Sequence, residues 1–593
     1  LLPEVLFLNF HDWVKKMVKN APDYFPVKAW EGGLVSLAVV IALLLGFSNL
    51  GQPSLWHDET VHVFVARSIL ATGIPRLPSG QFYVNGLLYN YLLALFIKIF
   101  PENEFSVRSL SVILGSINVA LLFFTTRRLL GKTTALIACF ALAVSPWQIS
   151  WMREARFYTL QQTLYLSFLW AMIPLFFPTI RLKIVNIPLC ILLYILSIAT
   201  SLHSILFMMV SGACAFWLGI LKKSRTEKVL ITFLSASIIG CFATTIFVSF
   251  AFGAVLFCAF TLLTVILVHR KILTSQPGIL LAGTAVLVAT TLFAYYFFLS
   301  QADHDAIFRE GGLRGTSENL HLDKARADRL YYLRFFSNNL SRGIFWLAML
   351  GFWGLVTREK EKGLFLANAF WVPALALSYI GYRQHRFLFF AFPLFLVAAS
   401  YGVLCLCSFC SKRTRTSTFL LCVIVISLFM ARVTVSMTRL VDDSLTIAHG
   451  ADVTLAKQHP RWREPCRYIA KNVQDDFVVI STDFLPVLYY VGRCDNWFPS
   501  RVTPWEWVES GMKGLQDARE LEEYVRLQPS GFFIAEHRKF WYVKRFIPEE
   551  IEWVKKNLVW IKEASNPDVS VFAWGEAVKT CTSDQVRTVP SES

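Results

Sequence analysis

The sequence predicts a mainly α, polytopic membrane protein of about thirteen transmembrane helices, followed by a small extracytoplasmic α/β domain. Three observations carry this expectation. Of the 593 residues, 55% are hydrophobic and only 17% charged. Apolar runs close to the ~18 residues needed to cross a bilayer recur along the chain. Beyond about residue 437 the pattern changes to short apolar stretches alternating with amphipathic ones. The net charge of +16 is carried largely by short basic loops. In such a chain it marks cytoplasmic loops and contacts with anionic lipid, and nucleic acid is not an expected partner.

The first 32 residues are amphipathic, with Lys15, Lys16, Lys19 and Lys28 beside apolar positions. They read as an interfacial segment on the cytoplasmic surface, with the first span as the targeting signal. Residues 33–436 form the transmembrane domain. Apolar runs lie at about 33–50, 108–126, 134–150, 160–177, 185–200, 204–221, 229–247, 250–268, 278–299, 343–356, 364–380, 387–406 and 418–435. The loops TRRLLGK, RLK, KKSRTEK, HRK, TREKEK and SKRTR share one side with the N-terminus, which is therefore cytoplasmic. An odd number of spans puts the C-terminal domain outside. The run at 85–100 contains Asn85, Asn90 and Lys98. Counting it as a span would turn every later basic loop outward, so it reads as a helix in the outer interface. Residues 51–107 then form one large external loop, and 300–341 a second that closes as a lid.

In the tail, 437–593, FVVIST, GFFIAEH and VSVFAWG read as buried strands, and DARELEEYVRL and PEEIEWVKKNL as helices. Alternation of this kind predicts an α/β domain. Cys466, Cys494 and Cys581 lie in it, and an external location allows one disulfide among them. Cys405, Cys407 and Cys410 read as inert thiols, since no further ligand stands at a zinc-like spacing. Trp497, Trp505, Trp507 and Trp541 read as ordinary core and surface aromatics, with sugar stacking as the alternative.

The chemistry-bearing residues gather on the external side. SLWHDETVHVF places His57, Asp58 and Glu59 just after the first span. Carboxylates at a helix start are ordinary caps; carboxylates at a membrane edge also line aqueous sites. Two other external loops favour the second reading. MREARFY carries Arg153, Glu154, Arg156 and Tyr158, and YRQHRF carries Tyr382, Arg383, His385 and Arg386. Acids take a proton from a hydroxyl, while Arg and His hold a phosphate. His57, Tyr83, Tyr158, Tyr382 and His203 are candidate substrate contacts; for His203, capping of the SLHS hairpin is the competing reading. The residues name no particular cofactor. A divalent ion is allowed by the ligand types of Asp58, Glu59 and His57, although three adjacent residues cannot all point one way.

The order of these motifs carries a resemblance. An acidic pair follows the first span; then come YVNGLLYNY, the long FSVRSLSVILGSINVALLFFTTRRLLG segment, REARFY and a late RFLFFAFPL span. This layout, over most of residues 30–400, resembles the GT-C glycosyltransferases of the protein O-mannosyltransferase and lipid A aminoarabinose transferase superfamily. The resemblance implies a polyprenyl-phosphate sugar as donor. It implies catalytic roles for Asp58, as base or acceptor-orienting group, for Glu59, which holds the loop or substrate, and for Glu154, the second acidic position. It puts Arg383 and Arg386 near the donor phosphate, where His385 also lies. One departure stands out. The aminoarabinose transferases have Lys-Pro where this chain has Asn85 and Gly86. Either Asn85 donates a weaker hydrogen bond to the phosphate, or Arg153 and Arg156 supply the cation. The WWDYG-type motif of oligosaccharyltransferases is absent. The expected activity is inverting transfer of a sugar from polyprenyl phosphate to a hydroxyl of a lipid, glycan or protein, in a bacterial plasma membrane. The alternatives are a transporter or flippase of lipid-linked saccharide, for which charges midway along helices and a two-fold repeat are expected, and a non-catalytic membrane scaffold.

Overall fold

The computed structural model describes residues 28–177, 180, 185–221, 330–340, 342–379, 384–414, 459–500, 510–536 and 548–581. The chain is mostly helical. The first helix, α1 (Ala29–Phe47), is apolar beyond its first turn, where Glu31 pairs with Arg127 at 3.0 Å. Three helices follow: α2 (His57–Thr72), α3 (Leu87–Ile99) and α4 (Glu104–Leu130). Asn103 caps α4 by accepting a hydrogen bond from Ser106 N at 2.9 Å. Arg127 and Arg128 complement the dipole at its far end. α3 has 13 residues, which spans about 20 Å, too short for a bilayer core.

The run expected at 134–150 is broken. α5 (Lys132–Ala143) and α6 (Pro146–Met152) are bent by 57°, with Pro146 opening the second piece. α7 (Tyr158–Phe176), α8 (Asn186–Thr200) and α9 (Leu206–Leu221) follow, with a 3₁₀ turn at Leu202–Ile205. After α10 (Tyr331–Phe335) come α11 (Arg342–Arg358), α12 (Lys360–Tyr379) and a 3₁₀ segment, His385–Ala391, that runs into α13 (Phe392–Thr414). α11 and α13 pack through Gly351 and Gly402: a Cβ at either would collide with the backbone of Ala398 or Leu347. Among the described residues Ala29–Phe47, Glu104–Leu130 and His385–Ser408 are long and apolar enough to cross a membrane, and the bent pair makes a fourth candidate. The runs at 229–247, 250–268, 278–299 and 418–435, and most of the 300–341 loop, lie outside the described residues.

The C-terminal part is an α/β unit. α14 (Arg463–Asn472) precedes β1 (Val478–Ser481), α15 (Phe484–Val491) and β2 (Asn496–Trp497). α16 (Ala518–Leu527), β3 (Gly531–Glu536), α17 (Pro548–Asn557), β4 (Val559–Trp560), β5 (Val569–Trp574) and α18 (Glu576–Cys581) complete it. The sheet order is β2-β1-β3-β5-β4. β1 pairs in parallel with β2 and β3, whereas β5 is antiparallel to β3 and β4. Every residue of β3 and β5 is buried, as expected of strands covered on both faces. The disulfide allowed among Cys466, Cys494 and Cys581 is not formed; all three are thiols buried in the apolar interior. Trp497 is likewise a core residue, while Trp505, Trp507 and Trp541 lie outside the described residues.

Candidate active site

Glu59 and Asp58 open α2 and turn in different directions. Glu59 is fully buried. Its carboxylate accepts from Arg108 Nε at 2.7 Å and Nη2 at 2.6 Å, and from Ala155 N at 2.8 Å. Arg108 also donates to the carbonyls of Leu50, Pro53 and Ser54. One bidentate pair therefore ties the end of the first loop, α2, α4 and the turn at 153–157 together. Such a buried pair holds only because its remaining donors and acceptors are satisfied.

Asp58 remains 22% exposed and lies between two guanidiniums. Arg156 Nη2 is 3.2 Å and Arg386 Nη1 3.0 Å from its Oδ2. Arg156 also donates to the Asp58 carbonyl at 3.0 Å and to the Tyr158 hydroxyl at 3.2 Å. It lies over the rings of Trp56, Phe157 and Tyr158. Its Nε is buried without a hydrogen-bond partner among the described residues. Burial opposes the Arg156 charge, but Asp58, Tyr158 and Tyr83 outweigh it and raise the pKa. His203 is held near 4, by burial first and by Arg386 second. It is therefore neutral at pH 7 and stacks on Phe387 with ring centres 4.4 Å apart. The loop between α1 and α2, the 153–158 turn, the SLHS hairpin and the segment before α13 thus meet at one place.

The other expected site residues have different surroundings. Arg153 donates to the carbonyls of Leu45 and Ser48 at the end of α1. Burial and the neighbouring Arg108 lower its pKa to about 10, which leaves it charged at neutral pH. Glu154 Oε1 is 3.3 Å from His459 Nε2, and the His459 ring stacks on Trp56 at 4.1 Å. His57 donates from Nδ1 to Asp483 at 2.6 Å, since a carboxylate only accepts. His385 stacks on Phe335 at 5.2 Å. Asn85 is exposed, and its carbonyl accepts from Asn90 Nδ2 at 3.2 Å. Tyr83 is half-buried with its ring near His62. Tyr382 and Arg383 lie outside the described residues. As ligands for one ion, His57, Asp58 and Glu59 do not converge: their contacts are with Asp483, the two arginines and Arg108. Among the described residues no group of three His, Cys, Asp or Glu side chains could hold a metal.

Several residues were not anticipated from the sequence. Arg108 sits inside an apolar run, where a buried arginine is a signal for a buried acid. Asp483, His459, Arg463 and Tyr490 come from the C-terminal unit and had no local motif. His62 donates to Asn90 Oδ1 at 2.6 Å, and burial, with Arg156 adding to it, drives its pKa to about 3.

Residues 84–183 match the family model of dolichyl-phosphate-mannose-protein mannosyltransferases. No curated protein sequence matches the chain. Among solved structures, ArnT from Cupriavidus metallidurans is similar in both its apo state and its complex with undecaprenyl phosphate. Each match has a TM-score of 0.55 and 12% identity, and covers 93% of this chain and 99% of that one. The Archaeoglobus fulgidus oligosaccharyltransferase in complex with Zn and sulfate aligns with a TM-score of 0.51 and 13% identity, covering 89% of this chain and 71% of that one. At these identities the likeness is one of fold. The chain is an integral membrane protein that shares its fold with ArnT and the archaeal oligosaccharyltransferase, and its segment 84–183 matches the protein mannosyltransferase model.

Proposed function

We propose that the protein is an inverting glycosyltransferase that moves a sugar from a polyprenyl-phosphate donor to a hydroxyl of a lipid, glycan or protein acceptor. The reaction takes place at the external face of a bacterial plasma membrane, with the N-terminus inside and the α/β domain outside. The observation that carries this reading is Asp58 set between Arg156 and Arg386, contributed by three separate external segments. Two guanidiniums suit the phosphate of the donor, whose negative charge grows as the glycosidic bond breaks. Asp58 is the carboxylate that accepts the proton of the attacking hydroxyl. The acceptor oxygen bonds to the anomeric carbon as the carbon–phosphate oxygen bond breaks, and polyprenyl phosphate leaves; one displacement inverts the centre. Glu59 serves as the group that holds the loop. The family match at 84–183 supports the reaction class, and the undecaprenyl phosphate bound by the similar ArnT supports the donor class.

The test is release of polyprenyl phosphate from a panel of radiolabelled polyprenyl-phosphate sugars by purified protein supplied with membrane lipids as acceptors. Release that Asp58→Asn abolishes supports the reading. Release undiminished in Asp58→Asn moves the base elsewhere, and donor binding without release from any sugar favours the transporter or scaffold.

A further inference from the structure

Asp483 is the N-cap of α15, where an aspartate ordinarily accepts from the free backbone N–H groups of its own helix. It makes no such bond. Its carboxylate instead accepts from His57 Nδ1 at 2.6 Å, across 426 positions of sequence. A local capping opportunity is thus passed over for a contact with another part of the molecule, the kind of local inconsistency that marks functional positions. Both partners are well enclosed: side-chain exposure is 4% for Asp483 and 16% for His57. Asp483 is itself held rigidly. Its N–H donates to Ser481 Oγ at 2.9 Å, and that hydroxyl donates back to the Asp483 carbonyl at 2.8 Å. Ser481 is the last residue of β1, in the parallel part of the sheet.

The other end of the contact is the first residue of α2. The His57 carbonyl accepts from Thr60 Oγ1 at 2.7 Å, so the ring, the backbone and the first turn are linked. Asp58 is the next residue. It has Glu59 pinned to Arg108 on one side and His57 pinned to Asp483 on the other.

We propose that Asp483 is a positioning residue for the transfer reaction: through His57 it fixes the first turn of α2 and so aims Asp58, which makes the α/β domain a part of the catalytic centre. The inference rests on the glycosyltransferase reading. The domain has other attachments nearby. Arg463 N donates to Ser54 Oγ at 3.0 Å, and the Tyr490 hydroxyl accepts from Leu55 N at 2.7 Å. Loss of the Asp483 contact alone therefore leaves the domain docked while freeing the aim of Asp58. Misplacement of a reacting group by about 1 Å costs on the order of a hundredfold in rate.

The experiment is a double-mutant cycle on turnover, in full-length protein with a radiolabelled polyprenyl-phosphate hexose or pentose that the wild type uses. Asp483→Ala and His57→Ala are each expected to lower kcat about 10–100-fold with donor KM within about twofold. The double variant is expected to be no slower than the slower single, because the two act as one unit. Asp483→Asn keeps the volume and an acceptor oxygen, and should recover most of the rate; it also serves if the alanine variant does not fold. Full turnover in Asp483→Ala, multiplicative losses in the double variant, or a rise in KM at constant kcat each overturn the proposal. A wild type that releases no polyprenyl phosphate from any donor overturns the glycosyltransferase reading itself, and this inference with it.

Discussion

Asp58 and Glu59 are neighbours in sequence and opposites in environment. Successive residues on a helix point about 100° apart, so one meets Arg108 in the interior and the other faces the open site. Their variants should separate accordingly. Glu59→Gln leaves Arg108 buried without its counter-charge, and removal of one partner of such a pair costs about 3–5 kcal/mol; thermal unfolding in detergent should show a clear drop in midpoint. Asp58→Asn takes one counter-charge from buried Arg156 but at a site that is 22% exposed, so its midpoint should fall less than that of Glu59→Gln while turnover is lost. A stable Glu59→Gln protein would mean that the pair is dispensable to the fold. The histidines add a pH dependence. His62 and His203 have folded pKa values of about 3 and 4, below the unfolded value of 6.5. The unfolded chain therefore binds protons that the folded one does not, and stability is full above about pH 6.5 and falls as pH drops toward 4. Each site contributes a slope of about 1.4 kcal/mol per pH unit. Unfolding midpoints measured at pH 7 and pH 5 should differ, and the difference should narrow in His62→Gln. The acidic pair was legible from the sequence because charges are rare in an apolar chain; the division of labour within it was not, because Arg108 lies 49 residues away.

Elements were legible where local periodicity decides them. The three strands and two helices expected in the tail fall within a residue or two of the observed β1, β3, β5, α16 and α17, since such runs between turn signals have few alternatives. The bend between α5 and α6 was missed because Val144 and Ser145, where the direction changes, are ordinary membrane residues and only Pro146 hinted at it. α3 carries a sharper requirement. Gly86, before its first residue, has φ +71°, and a Cβ there would sit 2.9 Å from His62 Cε1 and 3.0 Å from Phe157 Cδ1. Gly86→Ala combines a left-handed backbone with contact against two buried rings, a destabilisation of about 1–3 kcal/mol. Because Phe157 is next to Arg156, turnover should fall along with the melting temperature. A Gly86→Ala protein with wild-type midpoint and rate would show that α3 can shift without disturbing the site.

At the scale of the whole molecule, the relation between the α/β domain and the membrane domain had no signature in the sequence, because each contact joins residues about 300 or more positions apart and none belongs to a motif. The contacts converge on a short stretch. Arg463 pairs with Glu104 at 2.8 Å and donates to the carbonyls of Gly51 and Gln52, while Tyr490 bonds Glu104 and Leu55. Gly51 to Leu55 leads directly into α2, so the domain grips the loop that delivers Asp58. A grip of this kind predicts that docking and rate are coupled. Arg463→Ala combined with Tyr490→Phe should lower turnover by about tenfold or more, since catalytic geometry is sensitive to displacements of an ångström. The domain itself should stay folded, because its core, built on β3 and β5, is untouched. Arg526→Ala is the matched control: Arg526 pairs with Glu522 on the surface of α16 and is 77% exposed, so its loss should change neither rate nor stability measurably. Turnover and protease resistance would be read on the same preparations. A double variant that turns over at the wild-type rate, with the domain newly sensitive to protease, would show that undocking leaves the reaction intact and that the α/β domain is an accessory to a self-sufficient membrane site.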